Sequence, residues 1–454
     1  MTNALHENVI SVSLYSSMQN LLANKKILIL AGVGMLIFLA VLFFVVSLVF
    51  RTAAPVTITF WGLWEDASVY QQVIADYKRA NPRVTVNYVK QSPLNYRERV
   101  LSAIASGGPD IFLIHNTWVP MFKAGIAAVP INTFSAASFK STFYPTAVTD
   151  LTVNGVPYAI PTEVDTLGLY VNSDILTAGG VSVPTTWDEF RTAAQKLTVR
   201  DSKNRIKTAG AALGVAANVD HWQDIVMLMM LQAGVDLNNV VNSQAAVDAL
   251  SYYTTFATVD KVWDETLDNS TLAFATGKVG MYFGPSWRYF DLKNINPNLN
   301  FKVVPVPQLT GGKTVNVASY WAAAVSKKSA NAQAAWDFLK FLSSEAELTK
   351  LYSAEAKIRV FGEPYPKVNM GTLLAGDPGA GVFVSQAPTA KSWYLVSATN
   401  DGDTGINSRV SKYYLDAINA MIKGTDSKTA LTTVASGVSQ VLSAYGIGAA
   451  ATSK

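Results

Sequence analysis

From Ile27 to Phe50 the chain carries no charge and no strong helix breaker. At about 1.5 Å per residue this run reaches ~36 Å as a helix, enough to cross a hydrocarbon core of ~30 Å. It is longer than the apolar region of a cleavable signal peptide, about 7–15 residues. The pattern predicts one transmembrane helix over 27–50, acting as an uncleaved signal anchor. Lys25 and Lys26 stand before it and Arg51 after it. The positive-inside bias then makes 1–26 a cytoplasmic segment and exports everything past a linker at 51–55. A start at Met18 would shorten the leader and favour a cleaved signal, with the same export.

Beyond the linker the periodicity changes every few residues. Val56 to Phe60 alternates apolar and polar positions, which predicts a strand. Tyr70, Val73, Ile74 and Tyr77 recur at helical spacing up to Asn81-Pro82. Val84 to Val89 reads as a second strand, and Tyr96, Val100, Ala103 and Ile104 as a second helix. Ile111 to Ile114 is continuously apolar, as a buried parallel strand requires. This βαβαβ series predicts a doubly wound α/β domain. The middle of the chain is richer in helix. Thr186 and Glu189 form a capping box ahead of Phe190, Ala193, Ala194 and Leu197, and Trp222 to Ala233 is amphipathic. Strands are expected at Leu167–Val171, Val279–Phe283, Phe301–Pro307 and Val317–Val325. Helices are expected around 332–342, 406–421 and 430–442, ahead of a disordered tail at 449–454.

In open parallel sheets, ligands bind beyond the carboxyl ends of the strands. Trp61, Trp64 and Glu65 follow the first strand, and His115, Asn116 and Trp118 follow the third. Any one of these indoles could equally cap the core beneath it. Taken together, they point to a ligand edge.

Composition narrows the chemistry. There is no cysteine, hence no disulfide framework, thiol nucleophile or lipid-modified cysteine. The 36 basic and 32 acidic residues form no basic stripe, so nucleic acid is not an expected partner. His6, His115 and His221 are too scattered for a metal site, and no glycine-rich phosphate cradle is present. No metal and no cofactor is expected.

Four segments carry a family resemblance: Leu167-Gly-Leu-Tyr-Val-Asn-Ser-Asp174; Pro184-Thr-Thr-Trp-Asp-Glu-Phe190; Phe274-Ala-Thr-Gly-Lys-Val-Gly-Met281 with Gly284-Pro-Ser-Trp287; and Ala322-Ala-Ala-Val-Ser-Lys-Lys328 with Ala335-Trp-Asp-Phe-Leu-Lys-Phe341. In order and content they resemble extracellular solute-binding proteins of the carbohydrate type, the maltose-binding-protein-like receptor components of ABC importers. The resemblance implies an α/β, two-lobe periplasmic-binding-protein-like fold, with doubly wound sheets joined by hinge segments, here preceded by one transmembrane helix. It places crossovers near 161–167, 278–284 and 320–325. Lobe one would be 56–162 plus 284–320, and lobe two 163–283 plus 321–448. It implies no enzyme activity, a carbohydrate ligand, permease subunits of an ABC transporter as partners, and a single-pass location at the cell membrane with the lobes outside. Aromatic rings and hydroxyl-binding groups carry over to Trp61, Trp64, Glu65, Asn116, Trp118, Glu163, Asp165, Trp287, Tyr320 and Trp321, with Trp222 added as a weaker match. The segment 358–393 matches none of the family's motifs.

Two other functions use similar residues. An exported glycoside hydrolase needs paired carboxyl groups ~5–9.5 Å apart, which Glu163 and Asp165 could supply. A cationic small molecule such as a polyamine would suit Glu65, Glu163 and Asp165 if they converge among tryptophans.

Overall fold

The computed structural model describes residue 19 and residues 25–49, 55–238 and 243–447. Most of the expected cytoplasmic segment, linker positions 51–54 and the tail at 449–454 lie outside these residues. Contacts divide the chain after Pro55. In the first unit the described residues include the helix Lys25–Val49, whose described side chains are all exposed. By length and composition it can cross a membrane.

The second unit, from Val56 onward, is α/β with two five-stranded sheets. In the first, the order is Val84–Lys90, Val56–Gly62, Ile111–His115, Trp321–Val325, Ile160–Pro161. Its three leading strands are parallel, in register from Val56↔Val84 to Gly62↔Lys90 and through Phe60↔Ile111. Alternation turns Ile58 and Phe60 into the core, while Ile111–His115 is buried on both faces as an interior strand must be. The second sheet runs Phe301–Val304, Gly168–Asn172, Val279–Gly284, Ile206–Ala211, Val199–Arg200. Each sheet has its own buried apolar cluster.

Pairing corrects the expected division into lobes. Phe301–Val304 pairs with Gly168–Asn172 in the second sheet, for example Val303↔Tyr170, so 284–320 does not belong as a block to lobe one. Trp321–Val325 pairs antiparallel with Ile111–His115 and with Ile160–Pro161, in the middle of the first sheet. Its WAAAV run is buried at every position and needs neighbours on both sides. The helix Ala332–Leu342 packs into the same first core. Nor is 278–284 a crossover, because Val279–Gly284 is the central strand of the second sheet. The chain passes between sheets at 162–167 and at 318–320, and it returns before the helices Ile406–Ile422 and Ser427–Ala444.

The unplaced segment 358–393 is built largely around a third, small cluster of Leu348, Phe361, Tyr365, Met370, Leu374, Ala380 and Val384. Phe361 lies 4.6 Å from the ring of Phe290 and 5.3 Å from that of Tyr289.

The capping box at the start of the helix Trp187–Leu197 is complete: Glu189 N–H donates to Thr186 Oγ1 at 3.3 Å, and Thr186 N–H to the Glu189 carboxylate at 3.2 Å. Thr186→Ala should therefore cost about 1 kcal/mol of stability in thermal unfolding, and Thr186→Ser almost nothing.

Candidate ligand-binding site

Three strand ends meet at the edge of the first sheet, and Trp321 sits at their junction. Its ring centroid is 5.4 Å from those of Trp64, His115 and Trp118, edge to face in each case. Trp64 is 40 % exposed, whereas Trp321 is nearly buried. Trp118 is fully buried and stacked on Phe122, so its ring belongs to the core. Trp61 is half-buried against the same core. Trp222 is buried in the second core.

Asn116 and Tyr320 turn their polar atoms to one carboxylate. Asp150 accepts from Asn116 Nδ2 at 2.9 Å, Tyr320 Oη at 2.7 Å, Ser392 Oγ at 2.6 Å and Thr146 Oγ1 at 3.3 Å. Burial raises the Asp150 carboxyl above its usual range, against the pull of those four bonds. Asn116 also borders a space of about 410 Å³ that Thr117, Asn238, Trp393 and Tyr394 help to line.

Glu163 and Asp165 sit on the crossover. Glu163 accepts from Trp321 N–H at 3.1 Å, and burial, then the neighbouring Glu363, pushes its carboxyl well up. Asp165 accepts from Thr166 N–H at 2.8 Å and from Ser286 N–H and Oγ, each at 2.9 Å. Burial first, and Glu363 second, push it up to about 8 despite those donors.

Ser286 leads into Trp287, which is half-buried, edge-on to His221 at 5.4 Å and covered on one face by the Arg288 guanidinium at 4.3 Å. Arg288 Nε donates to His221 Nε2 at 2.9 Å, which leaves Nδ1 to face Ser397 Oγ at 2.7 Å. His221, Trp287, Thr166, Ser319 and Ser397 line a crevice of about 20 Å³. Ser319 reaches His115 Nε2 at 3.0 Å, so the crevice touches the Trp321 junction through one imidazole. Burial lowers His115 to about 3, which keeps that imidazole neutral.

Glu65 lies elsewhere, 2.9 Å from Arg359 in an ion pair, with its carboxyl raised chiefly by burial. It borders a hollow of about 50 Å³ shared with Trp64, Glu163, Glu355 and Glu363.

The structure thus gathers Trp64, Glu65, Glu163 and Trp321 on one side and Asp165 and Trp287 on the other. Ser319, Ser397, Arg288 and Arg359 are not among the candidate residues that the sequence singles out, and His221 enters there only as too scattered to hold a metal, whereas His115 stands with Asn116 and Trp118 at the expected ligand edge. Arg288 stands just past the strand Val279–Gly284, and that position was the available signal, whereas Arg359 follows the helix Glu345–Glu355.

Residues 61–348 match the family model of the bacterial extracellular solute-binding proteins. The multiple sugar-binding protein of Streptococcus mutans is 22% identical over 303 residues, covering 63% of this chain and 70% of that one. Two solved structures share the fold. The sugar-binding protein MalE from Xanthomonas citri has a TM-score of 0.69 at 19% identity, over 86% of this chain and 98% of its own. The GacH receptor of Streptomyces glaucescens, solved unliganded and with acarbose, has a TM-score of 0.66 at 22% identity, over 86% and 99%. With the family model spanning well over half its length and a two-lobe α/β fold to match, this chain belongs to the bacterial extracellular solute-binding protein family.

Proposed function

We propose that this protein is a membrane-anchored extracytoplasmic receptor that binds a sugar or oligosaccharide between two closing lobes and delivers it to an ABC transporter. The observation that carries the reading is the half-buried Trp287 ring beside a crevice edged by Ser319, Ser397 and His221. A sugar offers an apolar C–H face and a rim of hydroxyls, and a flat ring with fixed hydrogen-bonding groups at its edge matches both. Sugar binding by the Streptococcus and Xanthomonas relatives, and acarbose binding by the Streptomyces one, support the same ligand class. Ligand pockets usually measure about 300–1,000 Å³, so the 20 Å³ crevice must widen as the lobes part, and a bound sugar would draw them together. The helix Lys25–Val49 would be the tether, and its ~37 Å length suits a bilayer.

Hydrolysis is a weaker reading of the same groups. Both ring nitrogens of His115 are engaged with the protein, Nδ1 at 2.8 Å from Thr117 Oγ1 and Nε2 at 3.0 Å from Ser319 Oγ. An imidazole lowered to about 3 is a poor general base. Asp165 and Glu163 accept from protein donors.

Intrinsic fluorescence of residues 55–454, titrated with mono-, di- and oligosaccharides and with polyamines, tests the proposal. A saturable response to one sugar class without product is expected, and Trp287→Ala should weaken it by at least ~2 kcal/mol, roughly 30-fold in Kd. A response to polyamines alone, or cleaved sugar in the tube, would overturn the assignment.

A further inference from the structure

The 50 Å³ hollow beside Trp64 holds more negative charge than its surroundings answer. Glu65 enters from the loop after the first strand, Glu163 from the crossover, Glu355 from the end of the helix Glu345–Glu355, and Glu363 from the segment that follows. Against these four stands Arg359, at 2.9 Å from Glu65, 3.2 Å from Glu355 and 2.9 Å from Glu363. Its guanidinium also lies over the Phe290 ring at 5.1 Å. Phe290 is on the helix Arg288–Ile295, which follows Trp287 and packs with the second sheet's elements. Glu65 and Glu355 belong to the first lobe, where Lys350 on the same helix pairs with Asp76 at 2.5 Å. One side chain therefore touches both lobes at the mouth of the candidate site.

We propose that Arg359 and the glutamates around it form a clasp between the lobes that couples their closure to proton uptake. Four carboxylates packed around one cation and shielded from water cannot all stay ionised, and sealing the hollow leaves protonation as the cheapest remedy. The other groups that face the cluster do not supply the missing charge. Lys90 is engaged with Asp66 at 2.7 Å, Tyr70, Tyr88, Tyr352 and Tyr365 are neutral at ordinary pH, and Asp165 adds a further carboxyl from the crossover. Lys357 flanks Arg359 in sequence but points to solvent. The carboxyls respond in the direction the geometry requires: burial raises Glu65 and Glu163, and it pushes Glu355 up to about 8 from an ordinary value of 4.5. With the closed-state value the higher one, closure is favoured in full below about pH 4.5 and loses that support as pH rises towards 8.

The clasp rests on the reading that the lobes open and close, but its test needs no sugar. The chain has no cysteine, so Ile131→Cys and Val259→Cys, at exposed positions on the two lobes, take spin labels cleanly in the full chain in lipid nanodiscs. The interlobe distance distribution is read at pH 5, 7 and 9. The closed-to-open ratio should fall at least ~10-fold over that range, since each proton taken up is worth up to a factor of ten per pH unit. In Glu163→Gln/Glu355→Gln the pH response should flatten. A distribution that ignores pH in the native chain, or a double variant that follows it unchanged, overturns the clasp. A sugar response alongside a pH-blind distance would sink the clasp alone, and a pH-dependent distance without a sugar response would sink only the ligand assignment.

Discussion

Trp321→Ala is expected to lower stability by about 3–5 kcal/mol, read as a shift in urea midpoint without a change in slope. The indole is nearly buried and its ring meets three others, Trp64, His115 and Trp118, each at 5.4 Å. Its backbone is equally committed. The N–H donates to Glu163, and the carbonyl accepts from Thr162 N–H at 3.1 Å and Thr162 Oγ1 at 2.9 Å. Truncation keeps those backbone bonds but opens a void that two rigid strand ends are poorly placed to close. Trp321→Phe keeps part of the packing and should cost roughly 1–2 kcal/mol. Trp64→Ala separates packing from binding: the ring is 40 % exposed, so stability should change by no more than about 1 kcal/mol while any ligand affinity that depends on this edge falls. Equal stability losses for Trp64→Ala and Trp321→Ala would remove the distinction.

What the sequence showed and what it hid divide along the range of the interactions. Alternation over Val56–Phe60 and the helical spacing of Tyr70, Val73 and Tyr77 are local, and the first three strands and two helices formed where those periods put them. The capping box is local too. Strand partners are not. WAAAV at 321–325 reads as a buried strand, but nothing in it says that it inserts between Ile111–His115 and Ile160–Pro161, and the lobe boundaries drawn from motif order were displaced accordingly. The same limit governs the tryptophans. Trp118 and Trp287 both follow a strand, yet one stacks on Phe122 in the core and the other stands half-buried at a crevice, a difference set by the elements that cover them. The ion pairs of Arg359 divide in the same way: Glu355 and Glu363 stand four positions to either side of it, whereas Glu65 is 294 positions away and nothing local points to it.

Asp165→Ala should be almost as damaging as the loss of Trp321, by a different route. Thr166 and Ser286 are each 1 % exposed, and Asp165 accepts both of their N–H groups together with the Ser286 hydroxyl. An orphaned buried donor costs about 1–3 kcal/mol, so losing this acceptor should cost about 2–5 kcal/mol in total. The turn that carries Trp287 would loosen with it, and ligand affinity should fall alongside stability. Asp165→Asn distinguishes shape from charge. The carboxyl is pushed up to about 8 in the folded chain, against an ordinary 3.8, so folding takes up a proton between those values and the native stability declines as pH rises through that window. Asparagine imitates the neutral acid but turns an amide N–H₂ towards one of the donors. It should therefore destabilise the protein most at pH 5–6 and progressively less towards pH 9, where the native carboxylate must be held ionised in a buried site. Urea unfolding of both chains across pH 5–9 measures this directly. A gap that stayed constant, or widened with pH, would mean that Asp165 is ionised in the folded protein and held by its three donors.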